Sequence, residues 1–249
     1  MALTFALIAA AGLVAAGFGI DGQLKPRTFT ASQRNRIEAW EVARRWRVMP
    51  RAKIFPAAVP YRVGGKPLGS GSGIRLTARR LEIAPQAPCA KAAGASPAVL
   101  AVFRKNGCEA LIRATYADST GSLVLTVGVA ILRDQASATA VARYLTGDAA
   151  TSPGAAAKDL VLRPLHVDGT SAALFGTGQR QLSWVVGARS YVVLATVGYA
   201  DGRPRVPVTS DSYTYLEMTS LARGVASVVA APFGVAPPVP RCPGALTAC

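Results

Sequence analysis

One histidine, His166, is all the chain has, and acids are scarce: thirteen Asp and Glu against twenty-eight Lys and Arg in 249 residues. A zinc centre therefore has little to draw on, because none of the four cysteines (Cys89, Cys108, Cys242, Cys249) belongs to a CxxC unit. The carboxylates are scattered, with no close couple of the kind a glycosidase uses. Gly69–Gly73 reads Gly-Ser-Gly-Ser-Gly, yet no Lys-Ser/Thr follows it and no strand precedes it, so it is not a phosphate loop. Ser183 and Ser190 lack the nucleophile-elbow pattern. No cysteine follows the first apolar run, which removes a lipobox, and no Lys or Arg precedes it. These absences lead to the expectation of a non-enzymatic protein with no cofactor and no metal.

What is present begins with Ala2–Ile20, nineteen positions without a charged side chain. As a helix they reach roughly 28 Å, close to the bilayer's hydrocarbon thickness of about 30 Å. The expected organisation is a transmembrane helix or uncleaved signal anchor over 1–20, then a basic helix and Pro/Gly-rich connector over 21–73. An α+β globular domain over 74–235 and a Pro-rich, Cys-containing tail over 236–249 complete it. Residues 21–80 hold fourteen Lys/Arg against Asp21, Glu38 and Glu41, whereas 81–249 hold fourteen against ten acids. Basicity thus concentrates beside the membrane, which favours attraction to anionic surfaces over a nucleic-acid interface.

Orientation is contested within the sequence. The basic residues after the span favour a cytoplasmic C-terminal side by the positive-inside rule. The even cysteine count favours an oxidising, extracytoplasmic one, and the reading adopted is a single-pass protein with an extracytoplasmic domain. Four cysteines allow three pairings; Cys89–Cys108 with Cys242–Cys249 is favoured because each closes a short loop. A bridge from Cys89 to Cys108 contributes about 3 kcal/mol on the chain-entropy estimate.

Thr30 and Gln33 have capping-box spacing and open a helix that Pro50 stops near Met49. Its arginines and tryptophans suit a headgroup layer, with Arg34, Arg36, Trp40, Arg44, Arg45, Trp46 and Arg47 as membrane-surface contacts. The alternative is that Trp40 and Trp46 dock the helix on the domain. The connector carries apolar Ile54, Phe55, Val59 and Tyr61, which suggests that part of it packs along a surface. Ile74–Ile83 reads as a strand with a bulge, and Ser96-Pro97 opens a helix to Lys105. Cys108–Asp118 and Ser122–Arg133 form a hairpin, and Asp134 caps a helix ending at Gly147. A short strand near Leu160–Leu165, strands at Ser171–Phe175, Gln181–Val186 and Ser190–Ala200, and a helix from Ser210 or Ser212 closing before Pro232 follow. Hairpin-then-helix units at 108–147 and 181–231 suggest a pseudo-repeat. The class is α+β: a twisted antiparallel sheet covered by about three helices.

Gln33–Tyr61 (QRNRIEAWEVARRWRVMPRAKIFPAAVPY) and Gly107–Thr126 (GCEALIRATYADSTGSLVLT) resemble uncharacterised single-pass membrane/envelope proteins of actinobacteria. That resemblance implies no activity to carry over. The functional expectation is an envelope protein whose domain binds a protein partner or an acidic envelope polymer. Arg203 and Arg205, beside Asp201 in Asp-Gly-Arg-Pro-Arg, are candidates to meet an acidic partner. Tyr191, Tyr199, Tyr213 and Tyr215 are core or rim residues, or else the edge of a groove. Two alternatives stand: a membrane-tethered hydrolase using His166, oriented by Asp168 toward Ser171, and a cytoplasm-facing interaction module.

Overall fold

The computed structural model describes residues 29–64, 73–89, 97–147, 154–155, 162–206 and 212–238. The anchor at Ala2–Ile20, Ser96, Cys242 and Cys249 lie outside these. Among the described residues no helix is long and apolar enough to cross a membrane. One compact unit is Val42–Val235; the other is Met1–Glu41 with Ala236–Cys249. The described part of the second unit opens with a capping box. The Gln33 amide donates to Thr30 Oγ1 at 3.2 Å, and the Thr30 amide donates to Gln33 Oε1 at 2.9 Å. Helix α1 runs from there over Ala31–Val48.

In the first unit, the short helix α2 (Arg51–Ile54) leads into β1 (Ala58–Val63) and β2 (Ile74–Ile83). Then come α3 (Pro97–Lys105), β3 (Ala110–Asp118), β4 (Leu123–Ile131) and α4 (Gln135–Thr146). A two-residue β5 (Gly154–Ala155), β6 (Arg180–Ala188), β7 (Tyr191–Tyr199) and α5 (Tyr213–Gly234) follow. The strands make one antiparallel sheet in the order β1-β2-β3-β4-β7-β6-β5. The α+β class and the antiparallel sheet are as the sequence implies.

The connector expected over 21–73 is different from that reading. Val59, Tyr61 and Val63 alternate with exposed Ala58, Pro60 and Arg62, so the strip forms an edge strand and buries Ile54, Phe55, Val59, Tyr61 and Val63. Pro60 is tolerated because β1 is at the edge. The bulge in β2 falls between Arg80 and Glu82. Asp134 caps α4, accepting from the Ser137 amide at 2.7 Å, and Gly147 ends it in the left-handed region. Cys89 and Cys108 are joined as a disulfide, the pairing favoured on loop length.

Both faces of the sheet are covered, which is why all nine residues of β4 are buried. One face takes Ala114, Tyr116, Leu125, Val127, Val193 and Val197 and receives α5, α2 and the end of α1. The other takes Leu111, Ala130, Val185, Val192 and Leu194 and receives α3 and α4. Because consecutive antiparallel strands are related by an axis normal to the sheet, a true repeat would keep its helices on one face. Here α4 and α5 take opposite faces, so the pseudo-repeat is not one.

Of the strand expected near Leu160–Leu165, residues 162–165 are irregular and the rest lie outside the described residues. The strand expected at Ser171–Phe175 fails for a local reason: 171–174 are turns. Their periodicity is three, not two: Ala173 donates to Thr170 O at 3.1 Å and Phe175 to Ala172 O at 3.1 Å. Ala172 and Phe175 are buried beside Val124. Leu162 seats itself over Gly128, where a Cβ would meet its methyls at 3.2 and 3.3 Å. Helix α5 also passes through Pro232 rather than stopping before it. In the last turn, proline removes only one amide donor, and the turn's carbonyls are taken by arginines described below.

Helix α5 packs on β1, β4, β6 and β7. In a flat sheet β1 and β6 would be five strand spacings, roughly 24 Å, apart, too far for one helix lying along the strands to touch both. The sheet therefore curls around α5. Contact is closest at Gly224, where a Cβ would fall 2.7 Å from Tyr61 Cβ. Replacement Gly224→Leu is expected to prise β1 from α5 and destabilise the fold by about 1–3 kcal/mol, read as a lower urea midpoint at unchanged m-value. Gly234→Leu, where space is open, is the control and should stay near wild type.

Candidate functional site

The end of α1 uses its tryptophan and arginines inwardly. Trp46 is 3% exposed and packs with Val42 in the core, so the docking alternative holds for Trp46 and it is withdrawn from the membrane-facing set. The buried face of α1 is Val42 and Trp46, one turn apart, rather than the stripe through Trp40, which is 57% exposed. The Tyr191 hydroxyl accepts from the Trp46 amide at 3.4 Å and donates to Val42 O. Burial is the main cause that pushes this phenol up to about 12. The Tyr191 ring lies 4.2 Å from that of Phe233.

Arg45 is likewise committed. It donates to Pro232 O at 2.9 Å, Phe233 O at 3.3 Å and Val235 O at 2.7 Å, placing a cation on the C-terminal carbonyls of α5. Arg189, in the left-handed region at the β6–β7 turn, adds a bond to Gly234 O at 3.1 Å. Arg47 pairs with Glu109, and both Arg47 and Arg51 stand over the Trp46 ring, at 5.3 and 5.4 Å. With these contacts the Trp46 ring and the Arg45 guanidinium are turned toward the domain. Arg34 and Arg36 remain exposed, and Arg44 is half-buried.

His166, Asp168 and Ser171 are exposed, and among the described residues no hydrogen bond joins them. Each member of a nucleophile–base–orienter set must be within hydrogen-bond reach of the next, so nothing here assembles one. Among the described residues no group of three His, Cys, Asp or Glu is placed to hold a metal. Asp118, 4% exposed, is a turn residue whose oxygens accept from the Thr120 and Leu123 amides, each at 2.8 Å. Glu217 is pushed up by burial and secondarily by Asp118.

Two arrangements emerge that the sequence reading did not single out. The first is on the outer face of β1–β2. Arg62 and Arg75 are directly opposite one another, and Arg79 shares their face, opposite Ala58. All three are exposed, and they make no hydrogen bond or ion pair among the described residues. Glu82, the next residue of β2 on that face, forms no ion pair with them. Like charges opposed across strands are destabilising. The alternation Val59-Tyr61-Val63 around Arg62 was the available signal, obscured by the prolines on either side.

The second is at the start of β6. Thr115, Thr126, Thr196 and Ser183 are opposite one another on four adjacent strands, forming one row of hydroxyls. Thr115 and Thr126 are 3.1 Å apart and grip the Leu165 backbone: Thr115 donates to its carbonyl at 2.8 Å, and its amide donates to Thr126 at 2.9 Å. Thr196 donates to Leu182 O at 3.4 Å. Ser183 ends the row in a cleft of about 150 Å³ lined also by Thr177, Gly178, Arg180, Gln181 and Arg205. Of the two arginines expected to meet an acidic partner, Arg205 lines this cleft, while Arg203 is engaged by Asp201 and stacks 4.4 Å over Tyr199. The Arg203 bond holds the Asp201 carboxyl below its ordinary range. Tyr191 is core, Tyr199 and Tyr215 are half-buried and Tyr213 is exposed.

Comparison with protein families, curated proteins and solved structures finds no match for the chain. The class is thus set by architecture alone: a curled antiparallel sheet, disulfide-linked, with helices on both faces.

Arg45→Ala should cost about 1.5–3 kcal/mol, because three helix-end carbonyls lose a charged donor at once. Arg45→Lys should recover only part of it, since an ammonium lacks the planar fork. Urea unfolding followed by circular dichroism measures both.

Proposed function

We propose that this is a membrane-anchored, non-enzymatic envelope protein whose extracytoplasmic α+β domain holds an acidic envelope polymer. The observation that carries the reading is the outer face of β1–β2, where Arg62, Arg75 and Arg79 converge without a paired acid. A folded protein gains nothing internally from opposing two arginines, whereas a polyanion laid along the strand pair would neutralise both. Arg75 and Arg79 are on the same side of one strand, four residues or roughly 13 Å apart, so with Arg62 they line a strip along which an extended polymer can lie. The apolar Ala2–Ile20 run supports the anchor, and exposed Arg34 and Arg36 support contact with anionic headgroups. The Cys89–Cys108 bridge supports an oxidising compartment over the cytoplasm-facing alternative. The exposed, unassembled positions of His166, Asp168 and Ser171 support a binding role over hydrolysis.

The test uses the full chain in nanodiscs of zwitterionic lipid, so that membrane charge does not compete, with polygalacturonate as the probe polymer. Combined Arg62→Gln, Arg75→Gln and Arg79→Gln substitution is expected to weaken binding about tenfold and flatten its salt dependence, from three exposed pairs at roughly 0.5 kcal/mol each. Folding stability should hold or rise slightly, because the Arg62/Arg75 repulsion goes with the charges. Unchanged affinity in the triple variant would discard the reading. On intact cells, an impermeant thiol reagent should label the chain only after reduction; labelling confined to lysed cells would place the domain in the cytoplasm.

A further inference from the structure

We propose that one end of the sheet is the surface that rests on the bilayer, and that its partner there is an anionic lipid surface. Strand register fixes which residues share that end: Ala110 is opposite Ile131, Ile131 is opposite Tyr191, and Tyr191 is opposite Ala188. The chain enters this unit at Val42 and leaves it at Val235. Both points are at the same end, because the Tyr191 hydroxyl donates to Val42 O and Arg45 donates to Val235 O at 2.7 Å. The polypeptide that carries the apolar Ala2–Ile20 run therefore joins the unit here. Helix α3 also ends here. The Gly107 amide donates to Arg104 O at 3.1 Å, the Glu109 amide donates to Ile131 O at 2.8 Å, and Arg47 pairs with Glu109.

Charge and shape at this end select the partner. Residues 42–54, 104–109, 131–134 and 188–190 hold nine Lys and Arg against two acids, Glu109 and Asp134. Both acids are already answered at the surface, Glu109 by Arg47 and Asp134 by Arg133. Lys53, Arg104 and Lys105 are exposed and make no hydrogen bond or ion pair among the described residues. Lys53 belongs to α2 on the face that α5 covers, and Arg104 and Lys105 to α3 on the other, so cations flank the end on both sides. Val48, 59% exposed, stands in the turn from α1 to α2, with Arg47 before it and Arg51 after. An apolar tip among cations suits the headgroup boundary, where acyl chains accept the one and acidic lipids attract the others. The Arg62/Arg75 pair is at the far end of the strands, one residue from the Val63–Ile74 pair. Between the two ends β4 spans nine residues, roughly 30 Å. Docked on its basic end, the domain holds the polymer face clear of the headgroups, so the two anionic partners use different residues. The inference rests on the anchored reading of the chain and is independent of the polymer.

Hydrogen exchange of the full chain in nanodiscs, read by mass spectrometry of its peptides, tests this orientation. Discs of phosphatidylcholine alone are compared with discs that also contain phosphatidylglycerol. In the anionic discs, amides of 47–54 and 103–109 are expected to exchange about threefold more slowly, while those of 118–123, at the opposite end, are unchanged. Combined Lys53→Gln, Arg104→Gln and Lys105→Gln substitution should remove most of that protection with circular dichroism spectra unchanged. The Arg62/Arg75/Arg79 triple variant should keep it, so this surface and the polymer face fail or succeed separately. Polygalacturonate added to phosphatidylcholine discs should not reproduce the protection; if it does, the basic end belongs to the polymer and the lipid assignment falls. Equal exchange in both discs, protection of 118–123 instead, or full protection in the Lys53/Arg104/Lys105 variant would equally overturn it. A chain that does not enter the discs sinks the anchored reading, and the same exchange measurement with phosphatidylglycerol vesicles then decides the lipid surface by itself.

Discussion

The approach of α5 to β1 at Gly224 is the constraint on which the rest depends. A side chain at that position would collide with Tyr61 Cβ, so glycine lets the helix reach the edge strand while also lying on β6 and β7. Once one helix touches both ends of a six-strand succession, the sheet must curl, and the curl decides which groups face in. It draws Val59, Tyr61 and Val63 into the core and turns Pro60 and Arg62 outward. It also brings the C-terminal end of α5 to the end of α1 and the β6–β7 turn, where Arg45 and Arg189 take its carbonyls.

The surplus of arginine then has a structural account. Arg45 and Arg189 bond α5 carbonyls, Arg51 bonds Trp46 O, Arg80 bonds Phe55 O and Arg180 bonds Thr177 O. A carbonyl satisfies the donors of a guanidinium without cancelling its charge, unlike a carboxylate. Arg45, Arg51 and Arg80 in this way tie helix ends and an irregular segment together through carbonyls. Part of the positive charge is thus spent on closing helix ends and loops. It also means that any anion near the domain meets a field built by more than the residues it touches.

What could be read beforehand was local. The Thr30–Gln33 box, the β2 bulge, the β3–β4 hairpin, the Asp134 cap and the Ser212 cap are each specified within a few residues, and each is found. What could not be read depended on partners distant in sequence. Proline-flanked Ala58–Val63 resembles a connector until α5, over 150 residues later, supplies its packing surface. Pro232 resembles a stop until Arg45 receives the turn's carbonyls. Ala172 and Phe175 resemble strand residues until Val124 and Ala117 bury them at turn spacing. Trp46 resembles a headgroup anchor because composition cannot distinguish a tryptophan facing lipid from one facing Val42 and a sheet. The hydroxyl row was equally hidden, since Thr115, Thr126, Ser183 and Thr196 acquire their common line only from strand register.

That row links the architecture to its chemistry. Hydroxyls buried in a sheet face carry a desolvation cost unless each finds a partner, and threonine in a strand can find one only above the sheet or beside it. Leu165 supplies both of its backbone polar groups to Thr115 and Thr126, which pins the irregular 162–167 segment across the face without a regular element. Thr196 turns sideways to its neighbouring strand. Ser183 ends the row beside the bulge at Gln181, and its hydroxyl makes no hydrogen bond among the described residues.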